Sequence, residues 1–269
     1  MIRVTFVVAA GLALAVALPT VSAHAQAART YVSVAGTDNA VCGINSPCRH
    51  FQAAVTATAA EGEVDALDPG AYGAFTISHA ITIEGQGWAY ITPVANGAAI
   101  TITAGSTDKI SIHGVSLNGA GVAGGTGILL NSGVLTLQNS AIRLLTTGLN
   151  VMSTHADVIG TDFIGNGTAI LTNGPGIDFG VNFPYPSATT LVRLNGGNFI
   201  QNTTAFTMNN VGTNTNSTNN RLSIVLFTNS GSALTNTGGN GTLTKLTGTP
   251  NTLTYNVGVL TYGFGADEN

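Results

Sequence analysis

The chain has 269 residues, of which 7% are charged and 44% hydrophobic, and a formal net charge of −4. Twelve acidic against eight basic side chains exclude the clustered cations that phosphate binding needs, so nucleic acid is not an expected partner. An average globular domain carries roughly 25% charge, so neutral polar groups must keep this exterior in water. Gly (35 residues) and the Thr-, Asn- and Ser-rich segments after Gly97 supply them.

Met1 to Arg3 form a short positive end, Val4 to Leu18 an apolar run broken only by Thr5, and Pro19 leads to Ala23-His24-Ala25. This is the layout of a secretory signal peptide over residues 1–25, with cleavage expected after Ala25. The run is shorter than the ~20 residues that span a bilayer, and no basic cluster follows it, so no membrane span is expected once it is removed. The mature chain of 244 residues (269 less 25) has seven Lys and Arg against twelve acids. A secreted or periplasmic location is expected.

Residues 26–62 read as an N-terminal strand, a loop closed by cysteines and a capping helix. Cys42 and Cys48 bracket Gly43 to Pro47, and in an oxidising compartment the expected state is a disulfide. The spacing is not C-x-x-C and no further ligands stand nearby, which argues against a redox pair or a metal site. Phe51, Ala54, Val55 and Thr58 share one face of a helix expected to start after Pro47 and to end by Gly62. Such a helix suits the open end of a solenoid, where backbone edges and apolar side chains need cover.

Residues 63–208 carry an internal repeat. Ile81-Thr-Ile-Glu-Gly85, Ile110-Ser-Ile-His-Gly114, Leu135-Thr-Leu-Gln-Asn139, Ala156-Asp-Val-Ile-Gly160 and Val192-Arg-Leu-Asn-Gly196 align. Each has two apolar positions separated by one outward residue, then an exposed residue, then Gly or Asn. A further apolar residue follows three positions later at Leu117, Ile142, Phe163 and Phe199, and small-apolar pairs recur at Gly148-Leu149, Ala169-Ile170 and Ala205-Phe206. Gly and Asn accept a positive φ most readily, so the last column marks a turn repeated in every coil. Successive turn residues stand 29, 25, 21 and 36 positions apart, the period of a solenoid coil and not of a β-sandwich. Parallel stacking would place Ile83, Ile112, Leu137, Val158 and Leu194 in one internal column. The fold expected is all-β, a parallel β-helix with a short N-terminal capping helix. Residues 209–269, rich in Asn, Thr and Gly, contain apolar runs such as Leu222 to Phe227 and Leu253 to Tyr255 that fit either further coils or an antiparallel cap.

The opening Tyr31-Val-Ser-Val-Ala-Gly36, the Cys42 to Cys48 loop, Phe51-Gln-Ala-Ala-Val55 and Asp68-Pro-Gly-Ala-Tyr72 followed by Ile81-Thr-Ile83 resembles the start of pectin-lyase-like right-handed β-helix proteins. The resemblance spans roughly Tyr31 to Phe206 and implies a right-handed coil and a carbohydrate-related role. That family's lyases use clustered Asp ligands for calcium with a basic residue, and its polygalacturonases use an N-T-D segment, a D-D pair, a His and an R-x-K. None of these strings occurs here, and the family's catalytic residues are not carried over. No cofactor or metal is expected.

The repeat exposes a different constellation. Asp157 and Arg193 occupy the outward column otherwise filled by Thr82, Ser111 and Thr136, where they fit either a surface ion pair or a polar site. The longest spacing, from Gly160 to Gly196, contains an insertion from Asn173 onward with Asp178, Phe179, Phe183 and Tyr185, and loops that interrupt coils are where solenoids place binding sites. The candidate glycan-binding residues are therefore Asp157, Asp178, Phe179, Phe183, Tyr185 and Arg193. His113 shares a mixed exterior column with Glu84, Gln138, Ile159 and Asn195, no G-x-S-x-G is present, and Trp88 reads as packing at a bend. The leading expectation is an exported non-catalytic protein with a structural or glycan-binding role and polysaccharide as its partner class. A polysaccharide lyase or hydrolase with an atypical site, drawing on Asp157, Asp162, Asp178, Arg143 and Arg193, and a self-assembling surface protein are the alternatives. Oligomeric state is left open.

Overall fold

The computed structural model describes residues 26–152, 154–173, 176–178, 191–208, 226–228, 232–236 and 252–255. The leader and most of the insertion, with Phe179, Phe183 and Tyr185, lie outside them, as do residues 209–225.

The chain opens with β1 (Ala27–Val32), turns through the cysteine loop into α1 (Phe51–Ala57) and enters the coils. The first coils hold β2 (Thr58–Ala66), β3 (Gly70–Ala71), β4 (Phe75–Ile77), β5 (Ile81–Ile91), β6 (Ala98–Thr103), β7 (Lys109–Asn118) and β8 (Thr126–Ser132). The next hold β9 (Val134–Gln138), β10 (Ala141–Arg143), β11 (Thr147–Val151), β12 (His155–Ile159), β13 (Asp162–Ile164) and β14 (Thr168–Thr172). The last are β15 (Gly176–Asp178), β16 (Leu191–Asn195), β17 (Asn198–Ile200), β18 (Thr204–Met208), β19 (Leu226–Thr228), β20 (Ser232–Asn236) and β21 (Thr252–Tyr255). All pairings between these strands are parallel, and the result is a β-solenoid.

Three faces run along its axis. β2, the first half of β5, the first half of β7, β9, β12 and β16 form the first face. The ends of β5 and β7 continue past a bend into the second face with β10, β13, β17 and β19. β4, β6, β8, β11, β14, β18, β20 and β21 form the third. Thus the described strands after residue 208 are further coils and not an antiparallel cap.

The repeat predicted from the sequence sets the register. Ile83, Ile112, Leu137, Val158 and Leu194 are consecutive partners and are at most 1% exposed. Leu117, Ile142, Phe163 and Phe199 form the matching inward column of the second face, with the rings of Phe163 and Phe199 stacked at 5.0 Å. Burying each such side chain contributes about 1.5–3 kcal/mol. At the bend, φ is positive at Gly114, Asn139, Gly160 and Gly196, as the turn column requires. Gly85 is the exception. In its coil Gln86 and Gly87 take the positive φ, because residues 85–88 of β5 lie opposite the single Gly114 and bulge outward. A Cβ on Gly114 would come within 2.7 Å of the Gly87 nitrogen, so the bulge folds directly against it.

The helix is shorter than its apolar spacing predicted. Thr58 to Gly62 already belong to β2, where β-sheet pairing with β1 outcompetes the last helical turn. Phe51 is fully buried, with its ring 5.3 Å from Tyr72 and 5.0 Å from Phe75. Cys42 and Cys48 form the expected disulfide. It holds a segment that bonds to β1: Tyr31 N–H donates to Cys42 O, Cys48 N–H to Tyr31 O, and Ser33 N–H to Cys48 O. The outer edge of β1 is thereby paired along its C-terminal part. Asp68 of the D-P-G-A-Y string accepts from Ser33 Oγ, Val34 N–H and the Tyr72 hydroxyl, tying the end of β1 to the first coil. Gly70 is needed there because a Cβ would lie 2.0 Å from Val34 Cγ1.

Candidate functional site

Thr82, Ser111, Thr136, Asp157 and Arg193 stand in continuous register across the first face. β15 pairs with the free side of β16 and sets Asp178 opposite Arg193, so the insertion does return to this column and places Arg193 between two Asp positions. The aromatics expected beside it, Phe179, Phe183 and Tyr185, fall outside the described residues.

A second arrangement lies across the bend, on the outer surface of the second face. Alternation along its strands puts Tyr90, Ser116, Ala141 and Asp162 in one outward column, each opposite the next. The two middle members are small and the two end members large. The result is a cleft of about 320 Å³. Ser116 and Ala141 form its base, Tyr90 and Asp162 its ends, and Gly87, Asn139 and Gly160 of the bend one side. Arg143, two residues beyond Ala141 on β10, forms the other.

The polar groups of this cleft are not all satisfied internally. Ser116 is 6% exposed, and its hydroxyl has no hydrogen-bond partner. Arg143 Nε is enclosed and also lacks one, and among the described residues no carboxylate pairs with this guanidinium. A buried donor without a partner costs about 1–3 kcal/mol, and native folds keep few of them. Asp162 is held in place from the next coil: Asn198 donates its backbone N–H at 3.0 Å and its side-chain Nδ2 at 2.8 Å, both to Oδ1. Tyr90 is 45% exposed, and Trp88 on the adjoining bulge is 39% exposed while its indole N–H reaches Ala66 O at 3.3 Å. Trp88 is therefore anchored by its nitrogen and offers part of its ring to solvent.

Arg143 and Asp162, considered from the sequence only as an enzyme pool, are brought together here without Asp157. Tyr90 and Ser116 were missed. The repeat held the signal, since Ser116, Ala141, Asp162 and Asn198 each precede the inward residue of the second face.

Two charged groupings lie nearer the N-terminus. Arg29 pairs with Glu63 and, at 2.9 Å, with Asp65, and His113 Nδ1 lies 2.6 Å from Glu84 Oε1. Burial and the neighbouring Glu63 carboxylate push Asp65 up to about 6, against the pull of Arg29. Asp38 bonds the His50 ring at 2.7 Å and accepts the backbone N–H groups of Arg49 and His50. Burial pushes this carboxyl up, but those three donors outweigh it and hold it below the ordinary range. Among the described residues no group of three His, Cys, Asp or Glu is placed to hold a metal ion, and no helix is long and apolar enough to cross a membrane.

No family model, no curated protein and no solved structure matches this chain.

Proposed function

We infer that this chain is an exported, non-catalytic β-solenoid that binds glycan in the cleft between Tyr90 and Asp162. The observation carrying this reading is an open cleft lined by Ser116, Arg143 and Asp162 with an exposed aromatic, Tyr90, at its end. Sugar sites combine an apolar ring face with a few fixed polar groups, and this lining supplies both. The disulfide fits an oxidising compartment. The signal-like leader and the likeness of the opening motifs to pectin-lyase-like proteins point the same way. Among the described residues, Asp162 is the one carboxylate lining the cleft, whereas glycoside hydrolysis ordinarily uses two.

The test is binding of the chain from Gln26 to Asn269 to a glycan panel, with turnover followed in the same wells, for wild type, Arg143→Ala and Tyr90→Ala. Binding that both substitutions weaken about tenfold or more would support the reading. Product formation would replace it with an enzyme. Binding insensitive to both but lost on deleting Pro175 to Pro186 would move the site to the Asp157, Arg193 and Asp178 column.

A further inference from the structure

We propose that the cleft selects a neutral saccharide through adjacent hydroxyl groups and discriminates against the corresponding uronate. The proposal rests on the glycan-binding reading and concerns the class of sugar.

The cleft presents groups of opposite demand. Arg143 offers N–H donors, with Nε enclosed and no carboxylate partner among the described residues. Asp162 offers only acceptors, and its two bonds from Asn198 both fall on Oδ1. Ser116 lines the cleft between Tyr90 and Asp162 in the column. A sugar hydroxyl is both donor and acceptor, so one can accept from Arg143 while its neighbour donates to Asp162. An ionised carboxylate can only accept. It would satisfy Arg143 and leave Asp162 facing a like charge across the same small cleft, a juxtaposition that suppresses wrong ligands. Among the described residues one positive and one negative side chain, Arg143 and Asp162, line the site and balance in charge, so they give no net attraction for an anion. The mature chain's excess of acids adds no help for one.

Size and direction follow from the strands. Tyr90 and Asp162 lie three strand steps apart along the solenoid axis, about 14 Å at the usual spacing of parallel strands. That length accommodates more than one sugar ring, running along the axis. Tyr90 stands at one end to receive the apolar face of a ring, and the Arg143 and Asp162 pair reads hydroxyls toward the other.

The experiment titrates the chain from Gln26 to Asn269 with neutral trisaccharides and with their counterparts oxidised to the acid at C6. Wild type is compared with Asp162→Asn, and circular dichroism confirms that both fold alike. The expected result is binding of a neutral trisaccharide at least about tenfold tighter than its acid, with the gap narrowed to within about threefold in Asp162→Asn, where the like charge is gone. Equal or tighter binding of the acid by wild type, or a preference unchanged in Asp162→Asn, would overturn the proposal while leaving glycan binding in place. Binding of neither form by wild type would remove the glycan-binding reading itself, and this proposal with it.

Discussion

At the scale of single residues, side chains that look alike in composition serve opposite ends. Asn166 and Asn202 are buried and form a ladder inside the coils. Asn166 Oδ1 accepts Leu145 N–H, its Nδ2 donates to Ile142 O and to Asn202 Oδ1, and Asn202 Nδ2 donates to Phe163 O. Removing one rung strands several buried backbone groups, so Asn166→Ala should cost about 2–4 kcal/mol, read from urea denaturation. Ser116 is the contrary case, because its enclosed hydroxyl bonds to nothing in the protein. Ser116→Ala should leave stability unchanged or raise it by up to about 1 kcal/mol in urea denaturation; a clear loss of stability would show that the hydroxyl serves the fold. Asp65 gives a third prediction. Its carboxyl titrates near 6 in the fold against ~3.9 in an unfolded chain, so the folded state holds this proton more tightly. Its contribution is therefore complete below about pH 4 and is lost as pH rises through about 6. Asp65→Asn should flatten that part of the stability profile. Asp38 and Asp68, held below the ordinary range, act in the opposite sense but are common to both proteins, so the difference between the two profiles isolates Asp65.

At the scale of elements, the sequence revealed what is repeated and concealed what is local. The inward columns were legible because a two-residue strand period and a coil period must agree for Ile83, Ile112, Leu137, Val158 and Leu194 to stack. The cleft was harder to foresee, since it depends on outward residues of mixed type and on the β5 bulge, which no periodicity announces. The end of α1 was misplaced for a related reason: Thr58 to Gly62 satisfy helical spacing in isolation, but the register of β1 with β2 decides the issue. The cysteine loop is the element whose contribution is simplest to isolate. It closes a sequence separation of six residues, for which chain-entropy arguments give about 2 kcal/mol. The double substitution Cys42→Ser with Cys48→Ser should lower the unfolding free energy by about that amount in denaturant titration. A much larger loss would mean that the loop's pairing to Tyr31 and Ser33 also fails.

At the scale of the whole molecule, a parallel solenoid is a stack in which each coil covers the edge of the one before, and only the ends lack a neighbour. At the N-terminal end, β1 lies on β2, the cysteine segment lies on β1, and α1 closes the apolar interior. Thr30 Oγ1 donates to Ala54 O, and Phe51 is inserted between Tyr72 and Phe75. This arrangement uses the charge-poor composition of the chain without presenting a bare strand edge at that end, since few like charges are available to deter pairing between molecules. The cap should therefore govern association as well as stability. Phe51→Asp would place a charge in a fully buried aromatic contact and release α1, exposing Val55, Tyr72 and Phe75 together with the edge above β1. The expected outcome in sedimentation velocity is a shift to larger species that grows with protein concentration, at concentrations where wild type shows no such shift and with far-UV circular dichroism still reporting β-structure. If the variant instead keeps the wild-type distribution at every concentration, the coils below must shield that end without α1, and the helix would be an appendage and not a cap.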